Sequence, residues 1–517
     1  MIERLRTAPG LFRAIAALVA GVLTGAGFAP VGWWPALIVG VAGLTIVVLA
    51  ARHGIGGVAV LGLTYGLGLS ATTLNWMRAI FVEAMVGMVI VVALFYVALA
   101  LGIRLAGRWR WWPLLAAGCW SVVEFTICRW PFDGFGWVRL GYAMIDSPLA
   151  GAYPLIGVAG VSFVTALTGQ ALAWLLGVRA GLVRRVVVVA LTAVLCAALT
   201  VVGGAIPPGE AGTKVDVGWV QGGAPGGGVY GLGPVRTITA NQTKGTTELA
   251  TDVAARKLPQ PEFIVWPENG TDLDPHADSQ TKALVEQALQ AAKRPIFVGT
   301  ILNGPGPDER QTASLWWDPD GGVLHTYVKR GIVPFGEWVP GRSFLLPLFP
   351  VLQYVGPQSV AGTQPGVLDV KLPSGQGLKL GVMVCYDLVF DNVAYDTTRF
   401  GAQVLVVQSS NAMYQGTGQI DQQFAMTRVR AAELRREILV VTTSGVSGFI
   451  APDGSVKWKD ADPATAYGVQ TMTLRQGVTP AVTYAQPIEL GIVIATAAGL
   501  VLALLRRRSG TMGKSQK

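Results

Sequence analysis

Eight stretches of mostly apolar residues constrain this chain before any other feature does. Each is near the length of about 20 residues that a helix needs to cross the hydrocarbon core of a bilayer. They run near Leu11–Ala29, Trp33–Ala51, Ile55–Asn75, Val82–Leu105, Trp112–Ile127, Gly151–Leu176, Val186–Ala205 and Ile488–Leu505. The fifth is short and carries Glu124. The first reads as a span and not as a cleavable leader, because further apolar segments follow it directly with no small-residue cleavage site ahead of a mature domain. Composition agrees: 51% of the 517 residues are hydrophobic and 14% are charged, too apolar a balance for one soluble protein.

Basic residues set the orientation. Arg4, Arg6, Arg13, Arg52, Arg104, Arg108, Arg110, Arg179, Arg184 and Arg185 fall on one side, with Arg506, Arg507, Arg508, Lys514 and Lys517 at the C-terminus. The opposite short loops hold Arg78, Arg129 and Arg139. Under the positive-inside rule the first side is cytoplasmic. The net charge of +9, scattered between apolar segments, therefore follows membrane topology and forms no nucleic-acid-binding face. The expected domains are a seven-helix transmembrane domain over 1–206, an extracytoplasmic domain over 213–486, and an eighth transmembrane helix with a basic cytoplasmic tail over 487–517. Glu83 and Glu124 stand in or near spans without an obvious partner, which gives little support to a transporter with a charged pathway.

After the linker IPPGEAG at Ile206–Gly212 the pattern changes to short β-rich runs alternating with helix-like segments. VDVGWVQ, EFIVWPE, PIFVGT, LKLGVMVC, QVLVVQSS and EILVVTT read as strands, and ASLWW with VLHTYVK as a hairpin across the turn signal DPDGG. Helices are expected at Thr237–Lys257, Ser279–Lys293, Asp391–Arg399 and Gln419–Arg435. This alternation predicts an α/β layered domain with helices covering a buried sheet. His53, His276 and His325 are too scattered to hold a metal.

Chemistry gathers at three strand ends. Cys385 closes LKLGVMV, and the other cysteines, Cys119, Cys128 and Cys196, lie in the apolar segments, so Cys385 has no evident disulfide partner. Glu268 follows FIVWP and Lys329 closes VLHTYV. A thiol needs a proton acceptor to become the attacking thiolate, which a carboxylate provides. The oxyanion formed on an attacked carbonyl needs a fixed positive charge or N–H donors, which Lys329 and the backbone N–H of Tyr386 supply. Each residue alone also has an ordinary reading, as core thiol, loop carboxylate or surface lysine. A cysteine–histidine hydrolase using His325 stays as a lesser alternative.

WPE at Trp266, YVKRGIVPFGEWVP at Tyr327 and CYD at Cys385 resemble the Glu-Lys-Cys signature of the nitrilase superfamily, whose fold is a four-layer αββα sandwich. VPFGEWVP, with seven spans before the domain and one after it, narrows the resemblance to the apolipoprotein N-acyltransferase family. That resemblance implies Glu268 as general base, Lys329 as oxyanion stabiliser and Cys385 as nucleophile, supported by Glu337, Tyr386, Asp387 and Tyr230. It implies transfer of an acyl chain from a phospholipid, by way of a cysteine thioester, to the N-terminal amine of a diacylated lipoprotein. The enzyme would act as a monomer in the bacterial cytoplasmic membrane with its catalytic domain outside, without cofactor, metal or nucleic acid. A membrane-tethered amidase using the same three residues, with water as acceptor, is the alternative. The chain departs from the family pattern in reading CYD for CYE, SSNAMYQG for SNDAWFG, and Gly223 and Tyr230 where Asn and Trp are usual. The apolar loop Gly336–Gly356 is expected to dip into lipid or cover the cleft.

Overall fold

The computed structural model describes residues 7, 9–51, 54–178, 180–228, 231–460, 462 and 464–512, with side chains as far as 505. Arg4, Arg6, Arg52, His53, Arg179, Tyr230, Lys514 and Lys517 lie outside the described residues, as do the side chains of Arg506, Arg507 and Arg508. The chain divides into two compact units, Met1–Ile206 with Thr483–Lys517, and Pro207–Val482.

Helices form the first unit: α1 (Gly10–Gly25), α2 (Trp34–Ala50), α3 (Ile55–Leu74), α4 (Val82–Ala106), α5 (Trp112–Ile127), α6 (Tyr153–Gly177) and α7 (Leu182–Gly204), joined by most of the C-terminal helix Pro480–Met512. Among the described residues, the helical segments Ile55–Ala79, Val82–Ala106, Pro148–Gly177, Leu182–Gly204 and Pro480–Leu505 are long and apolar enough to cross a membrane. Gly10–Gly25, Trp34–Ala50 and Trp112–Ile127 are apolar but shorter. In lipid the helices gain little from hiding apolar side chains from one another, so close backbone approach does more of the work. At Gly21 of α1 an added Cβ would stand 2.1 Å from the carbonyl oxygen of Tyr65 on α3, so only glycine fits. Beside that contact Thr24 Oγ1 lies 2.6 Å from Tyr65 Oη, which gives two buried hydroxyls a partner.

Glu124 does have a partner, contrary to the expectation from sequence. Its Oε1 accepts a hydrogen bond from the backbone N–H of Leu140 at 2.8 Å, and its Oε2 lies 3.7 Å from Arg139 Nε. Arg139 Nη2 in turn stands 3.4 Å from Oε1 of Glu489 on the C-terminal helix, whose Oε2 is 2.9 Å from Arg129 Nη2. These partners come from the loop after α5 and from a helix far along the chain, so no helical i,i+4 spacing announces them. Glu489 itself is an apolar-segment charge that the sequence reading passed over.

The second unit is built of two sheets. Its elements in order are β1 (Ala211–Gln221), α8 (Thr237–Ala254), β2 (Phe263–Val265), α9 (Ser279–Ala292), β3 (Ile296–Asn303), β4 (Glu309–Asp318), β5 (Gly322–Val328), α10 (Arg342–Leu348), β6 (Gln358–Ser359), β7 (Val367–Lys371), β8 (Gly377–Val384), α11 (Asp391–Arg399), β9 (Val404–Ser409), α12 (Gly418–Leu434), β10 (Ile438–Thr442), β11 (Ser447–Ile450), β12 (Val456–Asp460) and β13 (Ala466–Arg475). One sheet has the order β13-β1-β2-β3-β4-β5, with β6 beside β4, and the other runs β12-β11-β10-β9-β8-β7. The expected hairpin is present: β4 and β5 pair antiparallel, Asp318 opposite Gly322.

Alternation of side chains places the layers. Val217, Phe263, Val265 and Phe297 of the first sheet share one buried core with Leu380, Val382, Val384, Val406 and Leu439 of the second. The residues between them point the other way: Ile264, Ile296 and Val298 pack with Leu249 of α8 and Val285 and Leu289 of α9. Burial on both faces is why these strands read as unbroken apolar runs. The resulting order, helices, sheet, sheet, helices, brings the C-terminal ends of β2, β5, β8 and β9 together, where an open α/β sheet collects functional groups.

Candidate active site

Each of those strand ends delivers one group. Glu268 follows β2, Lys329 follows β5, Cys385 follows β8 and Ser410 follows β9. Lys329, only 1% exposed, donates from Nζ to Glu268 Oε1 at 2.9 Å and to Glu337 Oε1 at 3.0 Å. The free oxygens are also held: Glu268 Oε2 accepts from the backbone N–H of Ser410 at 2.9 Å, and Glu337 Oε2 from that of Val333 at 2.8 Å. A lysine between two anchored carboxylates has one allowed position. Burial alone would depress its ammonium, but the charges of Glu268 and Glu337 outweigh it and hold Lys329 well above the ordinary lysine value.

Cys385 sits at the first residue of a tight turn, Cys385–Val389, with φ of +49°. Non-glycine residues seldom adopt that left-handed conformation, and the cost is tolerated where surrounding bonds over-determine it. Here Asp387 supplies them. Its Oδ2 accepts from the backbone N–H of Val384 at 2.9 Å and from Tyr327 Oη at 2.9 Å, while Oδ1 accepts from the N–H of Gly331 at 2.7 Å. Burial pushes the Asp387 carboxyl up, and these donors with the Lys329 charge oppose the rise. The shorter aspartate of CYD is thus a clamp joining the Cys385 turn to the segment after Lys329. Burial also pushes the Cys385 thiol up, the Glu268 charge adds to the rise, and the Lys329 ammonium opposes it.

Arg430 of α12 braces the same turn from beneath. Its Nε donates to the carbonyl of Leu388 at 2.8 Å, Nη2 to Asp391 Oδ1 at 2.8 Å, and Nη1 to Glu433 Oε2, which completes a fully buried ion cluster. Removing one member of such a cluster leaves uncompensated charge inside. Arg430→Met is therefore expected to destabilise the second unit by about 3–5 kcal/mol, read as a lowered midpoint of thermal unfolding.

Tyr386 is buried, its ring edge-on to Phe390 at 5.4 Å between centroids. His325 is partly exposed on β5, opposite Trp316. Sequence reasoning missed the groups that tie one sheet to the other. Gln408 Nε2 donates to the carbonyls of Trp266 at 2.6 Å and Phe297 at 3.2 Å, which fixes the end of β9 against the strand that carries Glu268. Its only signal is a polar residue that interrupts the apolar run VLVV. Gln423 of α12 also reaches this end, donating to Ser409 Oγ at 2.9 Å and touching the Cys385 thiol.

Two family models match the chain. The family model for the apolipoprotein N-acyltransferase N-terminal domain matches residues 20–171, and that for carbon-nitrogen hydrolase matches residues 228–481. An apolipoprotein N-acyltransferase of Mycolicibacterium smegmatis is 31% identical over 96% of this chain and 88% of its own length. The chain belongs to the apolipoprotein N-acyltransferase family. A family member from Photobacterium profundum is 24% identical, covering 97% of this chain and 96% of its own, and one from Haemophilus influenzae is 24% identical over 86% of each. Among solved structures, a Nesterenkonia AN1 amidase from the nitrilase superfamily aligns with a TM-score of 0.37 and 15% identity, covering 54% of this chain and 98% of that one. The carbon-nitrogen hydrolase match takes in Glu268, Lys329, Glu337 and Cys385 together.

Proposed function

We propose that this chain takes an acyl group from a membrane phospholipid onto Cys385 and passes it to the free amine of the N-terminal diacylglyceryl-cysteine of a lipoprotein. Support comes from one juxtaposition: a buried lysine held between Glu268 and Glu337, its charge acting on the thiol of Cys385. In the first stage Glu268 accepts the thiol proton as sulfur attacks the ester carbonyl. The Lys329 ammonium stabilises the oxyanion, the carbon–oxygen bond breaks, and Glu268 returns the proton to the departing lysophospholipid. In the second stage the lipoprotein amine attacks the thioester carbonyl, Glu268 takes a proton from nitrogen, and the thiolate leaves and is reprotonated. Glu337 keeps Lys329 charged and in place through both stages.

Eight spans, with the N-terminus in the cytoplasm and the second unit on the extracytoplasmic face of the bacterial cytoplasmic membrane, fit these substrates, and one copy suffices. Drawing a long acyl chain into water costs about 0.8 kcal/mol per methylene, so catalysis belongs at the lipid surface. Phe344, Leu348 and Phe349 of the loop around α10 are 70%, 58% and 53% exposed. They are not a packed core loop, and their exposure supports a lipid contact. Phe344→Ser with Leu348→Ser is expected to slow transfer from phospholipid vesicles about tenfold or more, the weight of two large side chains leaving an apolar phase. Alkylation of Cys385 by a small soluble reagent should stay unchanged, and equal loss of both would assign these residues to folding.

The deciding test of the reaction is its product. Incubated with phospholipid and a synthetic diacylated lipopeptide, the purified protein is expected to yield an N-acylated peptide. Free fatty acid with an unchanged peptide would make it a hydrolase of the amidase kind.

A further inference from the structure

A second cleft lies at the far end of β8 from the nucleophile. It has a volume of about 750 Å³ and is bounded by the β7–β8 hairpin, the end of α11 and residues Gln476–Val478. Lys379, which lines it, is six residues ahead of Cys385 on an extended strand, about 20 Å away, so this is not the donor site.

Three cations and one carboxylate face the cleft: Lys371, Lys379, Arg399 and Asp369. Lys379 Nζ lies 3.5 Å from Asp369 Oδ1, and Arg399 Nη1 lies 3.5 Å from Asp396 Oδ1. Lys371 is exposed and has no anionic partner among the described residues. Val370, Leu378 and Val478 supply apolar wall between the charges.

Chain continuity ties one edge of this cleft to the C-terminal helix. Arg399 also donates from Nη2 to the carbonyl of Val482, in the first turn of the C-terminal helix. The apolar part of that helix, Pro480–Leu505, has 26 residues. That is about 39 Å of helix against a hydrocarbon core of about 30 Å, or about 40–45 Å with headgroups, so a centred span leaves its first turn at headgroup depth. The segment that opens the second unit reaches the same rim. Gly209, five residues past the end of α7, adopts φ of +80° and comes so near that an added Cβ would stand 2.0 Å from the Gln476 carbonyl oxygen.

We propose that this cleft is a lipid site distinct from the donor site, holding the phosphate of an anionic phospholipid between Lys371, Lys379 and Arg399 with the glycerol and upper acyl carbons against Val478. Free phosphate has the same headgroup chemistry, but it gains nothing from the apolar wall or from headgroup depth. The inference needs the C-terminal helix to span a bilayer and does not depend on the acyl-transfer chemistry.

The test uses the full-length protein in nanodiscs of phosphatidylcholine with a minor share of phosphatidylglycerol, with retained lipid counted by native mass spectrometry. Phosphatidylglycerol is expected to be retained in preference. Lys371→Gln and Lys379→Gln should each lower that retention about fivefold, the weight of one basic residue beside an anionic leaflet. Asp369→Asn, which removes the one carboxylate lining the cleft, should raise it. Unchanged retention in both lysine variants overturns the site, and displacement of the lipid by millimolar inorganic phosphate overturns its assignment to lipid.

Discussion

Cys385→Ala is expected to abolish acyl transfer, a fall on the order of 10⁴-fold or more, while leaving the second unit folded. The size follows from covalent catalysis. In the proposed reaction the sulfur of Cys385 carries the acyl chain between two substrates that bind in turn, and alanine offers nothing in its place. Folding should survive because Cys385 packs only partly against the inter-sheet core, and Asp387 holds the turn through the backbone of Val384 and Gly331 whatever the side chain at 385. The sharper measurement is mass analysis after incubation with phospholipid alone. The peptide containing Cys385 should gain one acyl group in the wild-type protein and none in the variant. Cys119, Cys128 and Cys196 belong to the helical unit and should remain unmodified in both. An acyl adduct on one of them, or normal turnover by Cys385→Ala, removes the thioester from the mechanism.

The strands of the second unit were legible because sheets covered on both faces demand apolar residues without interruption, and LKLGVMV and QVLVV are such runs. The three candidate groups were legible for a related reason: a charge or a lone thiol just past an apolar strand breaks a run that is otherwise without interruption. Partition into two sheets came from the family resemblance and was not legible in the strand pattern, since Val265 and Ile264 are equally apolar and only the fold says that one faces the opposite sheet and the other faces a helix. Nor was the clamp of Asp387, whose three donors come from Val384, Gly331 and Tyr327, two of them more than fifty residues away. Glu124 looked like an isolated charge because local spacing reports only partners on one helix, and Arg139 lies in the loop after α5. The loop around α10 announced its apolar character but not its exposure, which depends on what the rest of the chain leaves uncovered.

Glu268→Gln is expected to reduce acyl transfer about 10²–10⁴-fold, the usual contribution of a general base, and at the same time to make the thiol easier to ionise. Two opposite readouts from one substitution follow from the charges around the sulfur. Burial raises the Cys385 thiol first, the Glu268 carboxylate raises it further, and Lys329 lowers it. A neutral glutamine removes one raising cause and leaves Lys329 opposed by Glu337. The thiol then ionises at lower pH, and alkylation by iodoacetamide at a fixed pH below the wild-type midpoint becomes faster even as turnover falls. Lys329→Met removes the lowering cause instead, so its alkylation profile should move to higher pH while transfer also fails. A purely structural role for either residue would disturb the thiol without regard to the sign of the charge removed. Profiles that shift in the same direction in both variants would therefore rule out electrostatic control of Cys385 by this pair.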